Sequence, residues 1–303
     1  MNFFHTYWSK PETFGRWEAD YSIHIESTIY FYSLSVAFIK RLGYSIDLYT
    51  DIKGKETLGH LPYDNIFVVL ENMSNNIPRC NWAAGKIESF KYAKIGDIYI
   101  DGDVFIKTEK CIDKIKNGYQ YDAMFQSIED IDNVNNFYNT QFEYIYYDNN
   151  LEMGKYDFPL NIPKFGKCAY NAGLILFNNQ QYKDDFIYAY YYVLEQICKD
   201  KFIDDIFDLN SHFCLDLVME QRFLYEIGKS YNIGTLLDYW KAVDKNAEGY
   251  KTINDQANEL GFQHVLGFKK YEREEIEKCK GALKKVNLQI YEDAENKVNM
   301  LLK

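Results

Sequence analysis

The sequence predicts an α/β chain built on a mainly parallel central sheet flanked by helices, and three features carry that reading. Short β-branched or aromatic runs alternate with helix-periodic stretches through the first half. A further strand pattern, Ala172 to Phe177 (AGLILF), follows mid-chain, and helical periodicity dominates the C-terminal part. Alternation of this kind is what right-handed βαβ crossovers require. With 303 residues, 47% of them hydrophobic and 26% charged, the chain has ample material for a buried core. No internal repeat and no Pro/Gly/Ser-rich linker divides it, so residues 1–303 read as a single domain.

Each element has its own local signal. Phe3 to Trp8 is an apolar and aromatic run suited to a buried strand. Tyr30, Leu34, Ala37 and Phe38 recur at helical spacing, predicting a helix that ends near Arg41 to Gly43. Tyr44 to Tyr49 reads as a strand, and Asn65 to Leu70 as one buried on both faces. Ala83, Ile87 and Phe90 mark one face of a helix, and Ile98 to Ile100 begins the next strand. From about 107 to 165 the chain reads as irregular, rich in Asp, Asn and Tyr, with short apolar runs such as Phe142 to Tyr147. A long helix is expected from about Asp184 to Cys198, then helical patches at about Leu215 to Ile227 and Glu274 to Leu288. From Lys269 onward nine Lys/Arg stand against seven Asp/Glu, so the tail reads as a solvated helix rather than a basic membrane-binding one.

Composition excludes several classes of function. The 34 Lys+Arg and 45 Asp+Glu leave a net charge of −11, which repels phosphate backbones and argues against nucleic-acid binding. A local basic pocket for a small phosphorylated ligand remains open. Six cysteines (Cys80, Cys111, Cys168, Cys198, Cys214, Cys279) include no C-x-x-C pair, so they read as reduced, mostly buried thiols of a cytoplasmic protein. The N-terminus lacks a signal-peptide pattern, and no stretch approaches the roughly 20 apolar residues of a membrane span. The 28 tyrosines reflect codon bias more simply than sugar-stacking platforms.

The sharpest chemical signal is IYIDGDVFI, residues 98–106, with Asp101 and Asp103 in an apolar frame. In an extended chain residues two apart project to one side, so both carboxylates can address one cation, and Gly102 lets the backbone approach or turn. Charges interrupting a core pattern are costly unless a metal or hydrogen bonds compensate. The alternative is a strand ending at Ile100 with Asp-Gly-Asp as a solvent-exposed turn.

Two further pieces belong to the same edge of the sheet. Lys86, near the start of the helix after Trp82, and Asp101, at the end of the next strand, should both lie at the carboxyl edge, where open α/β sheets bind ligands. A lysine beside a divalent cation suits a diphosphate. In FQHVLGFKKY, residues 262–271, His264, Gly267 and Lys270 form an H-x-x-G-x-x-K spacing. Imidazole can complete a mixed oxygen/nitrogen shell around manganese, glycine permits close backbone approach, and lysine reaches phosphate oxygens.

Trp82 to Ile106 resembles the glycogenin-type (family 8) pattern of glycosyltransferases, in which a lysine opens a helix and an apolar strand delivers a D-x-D motif. The H-x-x-G-x-x-K resembles that family's closing motif, Asn171-Ala172-Gly173 its N-A-G segment, and Glu220-Gln221 its Asp-Gln pair. The layout is also similar to a bacterial glycosyltransferase-like family of unassigned function with H/Y-I-D-G-D-V-F and E-Q motifs. The chain departs where Tyr271-Glu272 replaces the usual Pro-Trp and Glu220 the usual aspartate.

The resemblance implies a GT-A, Rossmann-like fold with a helical C-terminal part, and a nucleotide-sugar donor, most often UDP-linked. It implies that Asp101, Asp103 and His264 hold manganese or magnesium, and that Lys86 approaches the donor. Gly267 and Lys270 would face its phosphates, while Thr6 and Tyr7, at the end of the first strand, would contact the nucleoside. Asn171, Glu220 and Gln221 would line the sugar and acceptor side, with retention of configuration. The acceptor, a glycan, peptide or lipid-linked sugar, has no readable code. Two rivals stand beside this reading. One is a non-catalytic nucleotide-sugar or glycan-binding protein on the same fold. The other is a haloacid-dehalogenase-type phosphatase, whose motif normally ends the first strand and requires Thr or Val where Phe105 stands.

Overall fold

A computed structural model describes residues 1–10, 20–74, 76–77, 81–130, 168–199, 216–239, 242 and 250–303. Within them a central sheet holds β1 (Asn2–Tyr7), β2 (Ser45–Thr50), β3 (Ile66–Val68), β4 (Ile98–Ile100), β6 (Ala123–Asp130), β7 (Cys168–Phe177) and β8 (Ile233–Thr235). Their order is β3-β2-β1-β4-β7-β6-β8, and β5 (Val104–Ile106) pairs separately with β9 (Phe262–His264). The pairings β1–β2, β1–β4, β2–β3 and β6–β8 are parallel, whereas β7 runs antiparallel to both β4 and β6. The sheet is therefore mainly parallel, with one strand reversed. This is the mainly parallel α/β sheet flanked by helices that the sequence predicted.

The helices are α1 (Tyr21–Arg41), α2 (Ile52–Leu58), α3 (Ala84–Phe90), α4 (Glu109–Asn117), α5 (Gln180–Ile197), α6 (Phe223–Gly228), α7 (Ile253–Leu260), α8 (Arg273–Val286) and α9 (Leu288–Leu301). Strand periodicity sorts them into two layers. Phe3, Leu48, Ile98, Ile100, Leu174 and Leu176 share a core with α1, α8 and α9. Their immediate neighbours Phe4, Tyr49, Tyr99, Ile175 and Phe177 point to the other face and share a core with α3, α5 and α6. Removing one such ring, as in Phe4→Ala, costs roughly 3–5 kcal/mol through lost transfer energy and the cavity left. Helix α1 buries thirteen of its 21 residues because it lies between the sheet and the α8–α9 pair. Asp20 caps its start by accepting from the Ile23 amide.

The structure departs from the sequence reading in two places. The stretch after residue 107 is ordered at least to residue 130, holding α4 and β6. Helix α4 buries only Cys111, Ile112 and Ile115 among lysines and acids, too sparse a stripe to stand out. Strand β3 is an edge strand with Phe67 and Val68 exposed, not one buried on both faces. A continuous apolar run does not distinguish the two cases. Leu215 and the run Phe142 to Tyr147 lie outside the described residues. Among the described cysteines, Cys111, Cys168, Cys198 and Cys279 form no disulfide. Among the described residues no helix is long and apolar enough to cross a membrane.

Candidate active site

Strand β4 ends at Ile100, and the next three residues form a tight turn in which the Val104 amide donates to the Asp101 carbonyl at 3.0 Å. The turn alternative is thus right about the backbone and wrong about exposure, because Asp103 is only 8% exposed. Gly102 is required here by close approach. A Cβ at this position would stand 2.2 Å from the Tyr32 ring. Reversed strand β7 delivers Gly173 beside the turn, its carbonyl accepting from the Asp101 amide at 2.9 Å.

His264 reaches the turn through the second sheet. Antiparallel β5–β9 pairing sets Val104 opposite His264, and the Val265 amide donates to the Asp103 carbonyl at 3.1 Å. His264 Nε2 lies 3.4 Å from Asp103 Oδ1 and 3.9 Å from Asp101 Oδ2. Its Nδ1 lies 2.8 Å from Gln126 Oε1, a contact that orients the ring so that Nε2 faces the carboxylates. The ring fits because residue 173 is glycine, whose Cβ would otherwise stand 2.4 Å from His264 Cε1.

One ligand atom from each of Asp101, Asp103 and His264 falls within 4.8 Å of the others. Two carboxylate oxygens and an imidazole nitrogen suit a hard or borderline divalent cation. Lys270 Nζ sits 2.9 Å from Asp103 Oδ2. Burial alone would raise the Asp103 carboxyl, but Lys270 and His264 outweigh it and hold it below the usual carboxylate range. On the other carboxylate, Asp101 Oδ1 accepts from the Tyr99 hydroxyl and lies 3.1 Å from Lys86 Nζ.

Lys86, in the first turn of α3, is buried. Its ammonium donates to the Ala172 carbonyl at 3.1 Å, lies 2.7 Å from Glu220 Oε1 and stands over the Tyr99 ring. Burial works against its charge, yet Asp101 and Glu220 lift it above the ordinary lysine value. Glu220 is 1% exposed, so it is neither a solvated helix residue nor an exposed N-terminal carboxylate. Burial pushes its carboxyl up to about 7, with Lys86 opposing and Asp101 assisting. Glu220 and Gln221 lie on a π-helical turn, Leu217–Arg222, and both face the same cavity. Asn171 donates to Glu129 Oε1 at 2.5 Å and accepts from the Gly173 amide at 3.0 Å.

At the end of β1, the Thr6 hydroxyl donates to Ser89 Oγ at 2.7 Å and the Thr6 carbonyl accepts from the Tyr32 hydroxyl at 2.7 Å. The Tyr7 carbonyl accepts from Thr50 Oγ1 at 2.6 Å. Gly267 has φ 64°, a left-handed conformation that favours glycine, and opens the 3-10 turn Gly267–Tyr271 that carries Lys270. The turn is fastened to α1, with Ser27 Oγ donating to the Lys270 carbonyl at 2.7 Å and His24 stacking on Tyr271. All eleven residues singled out in the sequence line one cavity of about 350 Å³: Thr6, Tyr7, Lys86, Asp101, Asp103, Asn171, Glu220, Gln221, His264, Gly267 and Lys270.

A family model described as "Family of unknown function (DUF6734)" matches residues 1–296. The chain belongs to the DUF6734 family. A search of curated protein sequences gave no match. Among solved structures, this DUF6734 chain is similar to the galactosyltransferase LgtC in complex with donor and acceptor sugar analogues. The two share 10% identity at a TM-score of 0.48, covering 95% of this chain and 96% of that one. It is also similar to mouse xyloside xylosyltransferase 1, at 13% identity and a TM-score of 0.34 over 78% of this chain and 85% of that one.

The site of this DUF6734 chain also draws on residues that the sequence reading passed over, in the cavity wall and behind it. Gln126 has no local signal, since only β6 pairing brings it to His264. Tyr99 was accessible by period two, sharing a strand side with Asp101. Trp8, His24, Tyr32 and Trp82 also line the cavity. Aromatic residues so abundant in this chain do not announce themselves.

Proposed function

We propose that this chain is a metal-dependent glycosyltransferase, one domain over residues 1–303, that moves a hexose from a nucleotide sugar, UDP-linked by class, to an acceptor. The carrying observation is the convergence, on one cavity at the carboxyl edge of β1 and β4, of four motifs far apart in sequence. A phosphatase of the haloacid-dehalogenase type would need its aspartates after the first strand, whereas here they follow β4. A non-catalytic binding protein has no need to bury Glu220 against Lys86 in the same cavity at the cost of desolvating both.

Asp101, Asp103 and His264 would hold manganese or magnesium, which when bound would offset negative charge developing on the leaving diphosphate. Lys270 supplies a second positive charge on the same side of the cavity, and Gly267 keeps the adjoining backbone free of a side chain. Thr6 and Tyr7 form the nucleoside end. Asn171, Glu220 and Gln221 present polar groups to the sugar and acceptor side, where positive charge develops on the transferred sugar, with retention as the stereochemical outcome. The acceptor is a glycan, peptide or lipid-linked sugar, and the working location is the cytoplasm.

The test is thermal unfolding with UDP, UDP-glucose and UDP-galactose, each with and without manganese. A ligand at 100 times its Kd adds about 2.7 kcal/mol of stability. A manganese-dependent rise with a uridine nucleotide is expected. No rise with any nucleotide would overturn the reading.

A further inference from the structure

Asp216 is fully buried and lies immediately before the π-helical turn that carries Glu220 and Gln221. Its carboxylate gathers donors from two other parts of the fold. The Ala83 amide donates to Oδ2 at 2.5 Å, Asn81 Nδ2 lies 3.3 Å from Oδ1, and the Tyr190 hydroxyl donates to Oδ1 at 2.7 Å. Asn81 and Ala83 flank Trp82, a wall of the cavity, so one carboxylate grips the chain on both sides of that indole. Ala83 is also the N-cap of α3 and has no side-chain capping bond of its own, so a carboxylate distant in sequence binds the amide at the helix start. Three residues on, Lys86 makes its ion pair with Glu220, four residues beyond Asp216. The π-helical turn and the first turn of α3 are thus joined twice, through backbone at Asp216 and through side chains at Glu220.

We propose that Asp216 is a positioning residue for this site, fastening the Trp82 wall and the first turn of α3 to the turn that carries Glu220 and Gln221. Asp216 lines no part of the cavity itself and acts through Trp82 and the Lys86–Glu220 pair. Its kinetic consequence rests on the transferase reading, whereas its hold on Trp82 does not.

The experiment uses the full chain as wild type, Asp216→Asn and Tyr190→Phe, each also with Trp82→Phe so that subtraction isolates Trp82 emission. Hydrolysis of UDP-glucose and UDP-galactose with manganese supplies kcat and KM. Asp216→Asn should shift Trp82 emission and lower kcat by about tenfold or more, with KM within about threefold. Adding Lys86→Met should cost less than the product of the single effects, because both act on one unit. Unchanged emission and kcat, even with lowered stability, would overturn the proposal, as would full multiplicativity with Lys86→Met. If Asp216→Asn fails to fold, Tyr190→Phe decides by the same readouts, with an expected loss of about threefold in kcat. If the wild type turns over neither donor, the transferase reading fails, and the Trp82 emission alone decides the anchoring role.

Discussion

Lys86 Nζ lies 2.7 Å from Glu220 Oε1, and both side chains are sealed from solvent at 6% and 1% exposure. A buried pair of this kind gains little over an apolar replacement, but losing one partner leaves an uncompensated charge. Lys86→Met should therefore destabilise the chain by roughly 3–5 kcal/mol, and the double variant with Glu220→Gln should recover part of that loss. Urea unfolding of the four-member cycle checks it. Additive losses would mean that the pair does not share its desolvation cost.

Asp103 is held between Lys270 and His264, and its carboxylate is one of the three convergent donors. Asp103→Asn keeps the shape of the side chain while removing its charge. Manganese affinity, measured by calorimetry on the full chain, should fall by about 100-fold or more while far-UV circular dichroism stays unchanged. Wild-type affinity in the variant would remove Asp103 from the metal site.

Much of this was legible because the motifs are local and the sheet is regular. Asp101 and Asp103 stand out against Ile98 to Ile106, and the β1–α1–β2 order follows from periodicity alone. What was not legible depends on contacts between distant segments. Nothing in Phe262 to His264 announces a strand pairing with Val104 to Ile106, although that pairing brings His264 to Asp103. Lys86 shows the limit in another way. Its place near the start of a helix put it at the carboxyl edge of the sheet, but only the fold shows Asp101, Glu220 and the Ala172 carbonyl around its ammonium. A sequence records that a charge exists but not which other charges share its cavity.

Lys270 places a positive charge 2.9 Å from Asp103 Oδ2, where a divalent cation would also be drawn. Like charges at such separations repel, more strongly in a partly desolvated cavity than in water. Lys270→Met should tighten manganese binding in the absence of nucleotide by about threefold to tenfold and weaken UDP binding with manganese by at least a similar factor. Calorimetric titrations of manganese, then of UDP, resolve the two. Changes of the same sign would show that Lys270 does not serve the two ligands in opposition.

Gly173→Ala tests how His264 is seated. The added Cβ would stand 2.4 Å from His264 Cε1, 2.5 Å from its Nδ1 and 2.6 Å from Gln126 Oε1, so the ring must move. Overpacking of this kind costs about 1–3 kcal/mol. Manganese affinity should fall along with stability. Loss of stability with metal affinity intact would mean that His264 does not ligate.

His5 supplies a pH dependence set mainly by its own burial. It is fully buried in β1, with Nε2 3.0 Å from Ser35 Oγ and Nδ1 2.9 Å from the Tyr63 hydroxyl. Ser35 commits its own proton to the Val104 carbonyl at 2.7 Å, so Nε2 is the donor and Nδ1 accepts from Tyr63. The ring is therefore satisfied only when neutral. Burial lowers its pKa from 6.5 to about 3, against a smaller opposing pull from Asp103. Between those values the unfolded chain binds more protons than the folded one, so stability rises with pH there and is lost as pH falls below about 6.5. From pH 7 to pH 5 this single group should remove about 2 kcal/mol. His24, lowered to about 4 by burial and by Lys270, adds a loss of the same sign. Carboxylates titrate over part of the same range, so the comparison is wild type against His5→Gln by urea unfolding at both pH values. The variant should be less stable than wild type at pH 7 but show a shallower decline to pH 5. Parallel declines would mean that His5 carries its proton in the folded chain.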